Sequence, residues 1–479
     1  MTSNFHTMKN AIRTGVLLMS AMSLASPAPG AAEPTDIGTR LELFVDHALI
    51  AGTDGDATLH LHRPEPREVV LVTDEPWEGN ISAYFTVFRD DDLYRMYYRG
   101  AHYDEDTKKV THEVVCYAES EDGVNWRKPE LGLVEFDGAK KNNIILDKVG
   151  AHCFTPFKDT NPNAAPEARY KALSRDGTKG LLAFQSSDGI QWAPMRKNHV
   201  VTEAGNSRRW QFDSQNLAFW DSNAEVYREY HRAGRQGKRD IMTSTSKNFL
   251  DWTEPVFLEY PDAPREHLYT NAVWPYDRAP HILLGFPTRY HPKRKHQVEP
   301  TLMASRDGRT FHRWLEPLIP VTAPEDRNGN RSNYMAWGLV RLPDNDREYS
   351  VYATEAYYKG PDSRLRRFSY RVDGFVSLRG GPDGGSMVTR PVQFRGDSLK
   401  VNFKTREKGR VRVELQHADG TPIEGFRLAD SEPLSGDEIE GVVRWNSERE
   451  LSELNNSPVR IRFEVVNGDL FSYRFQDTK

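Results

Sequence analysis

Cysteine is almost absent from this 479-residue chain, which holds only Cys116 and Cys153. Two cysteines so far apart form no metal-binding motif. They either pair with each other or sit as two small buried thiols on strands, and both readings stand. A basic excess is missing too. Lys and Arg total 64 against 69 Asp and Glu, a net charge of −5, and nothing suggests the clustered basic excess of a nucleic-acid binder. Beyond residue 25 no long apolar run occurs, so no permanent membrane-spanning helix is expected. The one apolar stretch, Thr14 to Ala25, follows Lys9 and Arg13 and leads through small residues to Ala32. That order describes a secretory signal peptide over residues 1–32. The mature chain is therefore expected to be secreted or periplasmic, without membrane contact after cleavage. No segment keeps a 3.6-residue apolar stripe, so helices are not expected. There is no phosphate-cradling glycine loop, nucleophile elbow or zinc motif. His152, His231 and His267 lack close ligand spacing, and neither metal nor cofactor is expected.

What the chain does have is repetition. Ser120-Glu-Asp-Gly-Val-Asn-Trp126, Ser186-Ser-Asp-Gly-Ile-Gln-Trp192, Ser246-Lys-Asn-Phe-Leu-Asp-Trp252 and Ser305-Arg-Asp-Gly-Arg-Thr-Phe311 are versions of one phrase, spaced by 66, 60 and 59 residues. Asp or Asn starts a turn by accepting from the backbone ahead, Gly supplies a positive φ, and the closing aromatic packs between sheets. A period of this size with strand-like runs between copies marks the blades of a β-propeller. The phrases themselves read as structural turns that organise a site elsewhere.

Hairpins give the blade number. An apolar strand, a polar turn and a second strand recur at 83–99, 153–175, 217–232, 272–289 and 337–355, with turns at Asp90, near Asp159, at Asp221, at Asp277 and at Pro343 to Asp346. The expectation is an all-β chain: a five-bladed propeller over 33–378, a Gly-rich linker at 379–385 and a C-terminal β-sandwich over 386–479. The stretch Leu41 to Ile50, with Ala57 to His62, is expected to close the ring by joining the last blade, because a propeller must hide its edges.

Function should gather where inner strands begin and second strands end. Those positions carry Tyr84, His152, Asp213, Asn216, Glu266, Asn271, Asn333 and Tyr334 on one side. On the other stand Arg99, Arg175, His231, Arg232, Arg289, Tyr290 and Glu355. A polar, ionisable set of this kind must be hydrated, paired or used on a ligand. Glycosidic bond cleavage needs two carboxylates, one as proton donor and one as base or nucleophile. Asp213 and Glu266 are the candidates, with Asp46 joining from the closing strand; Glu355 would tune their pKa values. Arg99, Arg232 and Arg289 stand at equivalent places. They either balance nearby carboxylates or clamp an anionic sugar, since Arg grips carboxylate or sulfate with two hydrogen bonds. His152, Asn216, His231, Asn271, Tyr290 and Asn333 complete the expected carbohydrate-binding set.

Ser-x-Asp-Gly-x-x-Trp hairpins on five blades, followed by a sandwich, resemble the five-bladed propeller glycoside hydrolases of families 32 and 43. The Leu43-Phe-Val-Asp46 opening and the Asp373-Gly-Phe-Val-Ser377 closing are similar to exported members of that superfamily. The resemblance implies a glycoside hydrolase acting on a poly- or oligosaccharide. In those families an early-blade Asp, a second-blade Asp and a middle-blade Glu do the work. Asp46 matches the first; Asp213 and Glu266 match the others only with shifted blade positions, because Asn-Asp-Pro-Asn, Arg-Asp-Pro and Glu-Cys motifs are absent. A non-catalytic carbohydrate-binding propeller and a sialidase-like enzyme, normally six-bladed, are the rival readings.

Overall fold

A computed structural model describes residues 33–177, 179–202, 210–323, 333–355 and 363–478. The stretch read as a signal peptide, residues 1–32, lies outside them. The described residues form no α-helix, and none of their helical turns is long and apolar enough to cross a membrane.

Five antiparallel blades follow one another along the chain. The first is built from Ala83–Asp90, Leu93–Asp104, Lys109–Ser120 and Ile144–Leu146. The second comprises Thr155–Lys158, Tyr170–Asp176 and Gly180–Ser186, with two short outer strands. The third comprises Leu217–Asp221, Val226–Arg235, Lys238–Ser246 and Val256–Phe257. The fourth uses Val273–Tyr276, Ala279–Gly285, Met303–Ser305 and His312–Arg313, and its middle hairpin is extended by Thr288–His291 paired with Gln297–Pro300. In the fifth, Glu348–Glu355 pairs with Ser363–Arg371, while isolated bridges at Met335 and Val340 supply a short inner strand.

The repeated phrase does the work expected of it. Asp122 Oδ1 accepts from the Val124 and Asn125 N–H groups, and Asp188, Asn248 and Asp307 do the same in their copies. Each Trp then donates its indole N–H to the turn carbonyl, at 3.1 Å in the first two copies and 3.0 Å in the third. A neighbouring blade uses the same turn as an anchor. Tyr97 donates to Gly189 O at 2.9 Å, Tyr230 to Gly308 O at 2.8 Å and Tyr352 to Gly123 O at 2.6 Å. All three phenols come from second strands, so the turns bolt blade one to two, three to four and five to one.

Ring closure differs from the expectation. The strand that completes blade five is Glu65–Thr73, paired antiparallel with Ser363–Arg371. Residues 41–61 instead join the C-terminal sheet: Glu42–Leu43 pairs with Ser472 and Tyr473, Ile50–Gly55 with Gly385–Thr389, and Thr58–Leu61 with Val376–Gly380. The physical reason is burial. Phe44 packs its ring against Phe463 at 6.1 Å and Tyr473 at 5.9 Å, and burying one such ring contributes roughly 1.5–3 kcal/mol.

The C-terminal β-sandwich is built around two long paired strands, Ser398–His417 and Val459–Gln476, with Phe394 stacked on Phe475 at 3.7 Å in its core. Residues 379–385 are not a free tether. Arg379 and Gly380 pair with Asp469 and Gly468, and Gly385 opens the next strand. Sheet residues thus come from both sides of the propeller in sequence, and the described residues from 34 onward form one compact unit. Cys116 and Cys153 are separate buried thiols.

Blades one and five also touch through their inner strands. Trp337 N–H donates to Phe85 O and Val87 N–H to Trp337 O, each at 2.8 Å. Gly338 makes this possible: its φ is +135°, and a Cβ there would lie 1.9 Å from Val87 O. Gly338→Ala is therefore expected to cost about 3 kcal/mol, read as a fall in thermal midpoint. An unchanged midpoint would mean the ring does not close through this contact.

Candidate active site at the blade-start face

Strand register puts one position of each of the first four blades at the same level. Ala83 lies opposite Arg99, and the Arg175 N–H donates to His152 O at 3.2 Å. Phe212 N–H donates to Arg232 O at 2.9 Å, and Leu268 is bridged to Arg289. The chain turns sharply into the inner strands there. Tyr84 (φ 58°), Cys153 (φ 55°), Phe212 (φ 58°) and Ala272 (φ 43°) all sit in the left-handed region that L side chains avoid. Strain repeated at one place in four blades is a feature associated with sites.

Asp213 is the hub. Its Oδ1 accepts from Arg175 Nη1 at 2.8 Å and His152 Nε2 at 3.2 Å, and its Oδ2 accepts from Arg232 Nη2 at 3.0 Å. His152 turns its other nitrogen to Glu113, 2.7 and 2.8 Å from the two carboxylate oxygens. Glu113 also lies 3.6 Å from Arg99. Burial alone would raise the Asp213 pKa. The hydrogen bond from His152 and the guanidiniums of Arg232 and Arg175 outweigh it and hold the carboxyl well below the usual carboxylate range. Glu113 is lowered in the same way: burial opposes, and His152, Arg99 and Arg175 prevail. Burial would lower His152, but contacts with Cys153, Asp213 and Glu113 raise it from 6.5 to about 11. Arg175 Nη1 also lies within hydrogen-bond distance of His152 Nε2, at 2.8 Å. The Asp213 side chain nevertheless stays 44% exposed, so a ligand can reach it.

Neighbouring blades meet here. Ser214 Oγ donates to Tyr269 O at 2.7 Å, and the Arg232 guanidinium lies 4.4 Å from the Tyr269 ring centre. Tyr84, Cys153, Val298 and Tyr334, drawn from blades one, two, four and five, share one apolar cluster beneath the face.

Glu266 is held by Arg313 Nη2 at 2.6 Å and by Arg289 Nη1 at 3.3 Å, with its side chain 26% exposed. Arg289 also binds Glu299, so it clamps two carboxylates. Tyr290 is half-buried against Tyr269 and His267. Arg99 is buried, its guanidinium 4.6 Å from the Tyr84 ring centre.

Several expected ligand groups are braces instead. Asn216 is buried and donates to Phe212 O and Ser214 O, shaping the turn that presents Asp213. Asn271 donates to Tyr230 O across a blade boundary, and Asn333 to Pro320 O and Ala323 O. Glu355 is buried between Arg364 at 2.6 Å and Arg366 at 2.7 Å. His231 is a correction: it is fully buried, bonded to Glu229 at 2.9 Å and packed on Phe212, so no saccharide reaches it. Asp46 is a second one. It accepts from Arg306 Nε at 2.8 Å and the Ala48 N–H at 2.9 Å. Arg306 belongs to the fourth repeated turn and also binds Glu42. Asp46 is thus drawn to the turn end, sharing no partner with Asp213 or Glu266.

Glu113, Arg239, Glu299 and Arg313 were missed. The first two stand early on third strands, Lys109–Ser120 and Lys238–Ser246. A third strand starts where the second one ends, so its early residues belong to the same face. That rule was available in the hairpin count.

A cavity of about 500 Å³ at the turn end is walled by Trp220, Trp274 and Trp337 and bordered by Asp277. Asp277 is taken by the Tyr349 hydroxyl at 2.5 Å, and no cluster of exposed carboxylates faces it among its lining residues.

No protein-family model matches the sequence, and no curated protein matches it. Solved structures similar to the chain include a glycoside hydrolase at 15% identity, covering 64% of this chain and 92% of that one with a TM-score of 0.46. A thermostable family-43 glycoside hydrolase shows 13% identity, 63% and 94% coverage and a TM-score of 0.42. A family-32 β-fructofuranosidase from Bombyx mori shows 9% identity, 88% and 95% coverage and a TM-score of 0.41. The blade count itself rests on the strand pairing within this chain.

The His152 network carries a pH signature. A raised histidine pKa stabilises fully below 6.5, and that stability is lost as the pH rises towards about 11. The lowered Asp213 and Glu113 stabilise above their ordinary values of 3.8 and 4.5 and lose this as the pH falls through their folded values. The network is therefore at full strength between about pH 4.5 and 6.5. Thermal midpoints taken from pH 6.5 to 10.5 should fall more steeply for the wild type than for His152→Gln. Parallel curves would remove His152 from the network.

Proposed function

We propose that this protein is an exported glycoside hydrolase that cleaves a poly- or oligosaccharide at the blade-start face, with a preference for anionic sugars. The observation that carries the reading is Asp213, an ionised and half-exposed carboxylate held from below by two blades' arginines. Preorganised by Arg175, Arg232 and His152 and kept ionised, it is placed to act as the nucleophile, or as the base with its strength reduced by those cations. Glu266 is the partner carboxylate on the neighbouring blade and takes the proton-donor role. Its two guanidinium contacts mean that a glycosidic oxygen must displace one of them to reach it. The arginines of the face hold the sugar, and residues 1–32 direct export to the periplasm or the medium.

One observation favours a non-catalytic carbohydrate-binding propeller as second reading: both exposed carboxylates are already paired, Asp213 with Arg175 and Arg232, Glu266 with Arg289 and Arg313. Five blades count against the sialidase-like reading.

Purified protein should be offered neutral, uronate and sulfated oligosaccharides, with new reducing ends measured. Cleavage of at least one is expected, and Asp213→Asn and Glu266→Gln should each lower turnover by about 100-fold or more without losing the cooperative melt. Binding without product would leave the second reading. Unchanged turnover in either variant would overturn its assigned role.

A further inference from the structure

Every other arginine named at the blade-start face has a carboxylate. Arg99 lies near Glu113, Arg175 and Arg232 hold Asp213, and Arg289 and Arg313 hold Glu266. Arg239 is the exception. It stands early on the third strand of blade three, opposite Gly234, and forms no ion pair among the described residues. Its Nε is buried without a hydrogen-bond partner. What surrounds the guanidinium is aromatic: its centre lies 4.4 Å from the Tyr290 ring centre, 4.6 Å from Trp210 and 5.2 Å from Tyr269.

Ring faces stabilise a cation but do not satisfy its N–H donors. Burial and the nearby Arg232 charge lower the Arg239 pKa, which the rings offset only in part. The backbone beneath is fixed, since Arg239 N–H donates to His267 Nδ1 at 3.2 Å and Arg239 O accepts from the Leu268 N–H at 3.0 Å. Here is a positioned cation with a spare set of donors, flanked by flat surfaces of the kind sugars stack on. An anion arriving at this point gains a counter-charge and relieves the repulsion from Arg232.

We propose that Arg239, boxed by Trp210, Tyr269 and Tyr290, receives the carboxylate or sulfate group of a bound saccharide. This rests on the reading that the face binds a saccharide, and it names the residue that selects for charge. Guanidinium geometry suits a two-point grip on either group, and the adjoining rings would take the apolar face of the sugar. Because Arg239 forms no ion pair among the described residues, removing it orphans no carboxylate there, and the cooperative melt should persist.

The test measures binding rather than turnover. An array of uronate and sulfated oligosaccharides, each beside its methyl-esterified or desulfated counterpart, is probed with wild type, Arg239→Gln and Arg239→Lys. The wild type should retain at least one charged member about tenfold or more over its neutralised counterpart. Which arm it retains, uronate or sulfate, separates the two groups. Arg239→Gln should erase the preference while keeping a cooperative melt, and Arg239→Lys should keep part of it. A preference that survives in Arg239→Gln, or a wild type with none, overturns the proposal. Cleavage of neutral and charged glycans alike would sink Arg239's role yet leave the hydrolase reading standing. A charge preference tracking Arg239 without any cleavage would do the reverse.

Discussion

Two guanidiniums from neighbouring blades, Arg175 and Arg232, close on one carboxylate, Asp213. The candidate site depends on that contact. It exists because second strands of successive blades end at the same level, so residues 57 positions apart in sequence become neighbours in space. An arginine pair needs a counter-charge, and the chain supplies it on the turn entering blade three. His152 and Glu113 extend the arrangement into blades two and one. The result is an alternation of charges across three sheets, partly shielded from water, where electrostatic contacts are stronger than on an open surface.

The two ends of the ring divide the labour. At the turn end, Asp and Asn side chains are consumed by backbone N–H groups, and tyrosines of adjoining blades tie onto the turn carbonyls. Those groups are committed to holding the turns. At the other end the backbone is strained at Tyr84, Cys153, Phe212 and Ala272, and ionisable side chains remain within reach of solvent. Architecture at one end holds chemistry at the other in register.

Much of this was legible in the sequence. Turn residues and alternation are local signals, so five blades and a C-terminal sandwich could be counted without coordinates, and Asp213 and Arg232 followed from aligning the hairpins. Local signals do not report which edge a strand will choose. Leu41 to His62 and Glu65 to Thr73 both read as strands, and only the burial of Phe44 in the C-terminal core separates them. Asp46 was misplaced with its strand. His231 failed for another reason: a polar residue in a strand has two faces to choose from, and its neighbour Glu229 holds its Nδ1 inside. Glu113 and Arg239 were overlooked because only two of the three strand ends at the face were surveyed.

The most direct check on this account is the position of a bound sugar. A crystal structure of the Asp213→Asn protein with a retained oligosaccharide should show the sugar over the blade-start face, in contact with position 213 and Tyr290. A sugar in the cavity walled by Trp220, Trp274 and Trp337, or on the C-terminal sandwich, with the blade-start face empty, would contradict it.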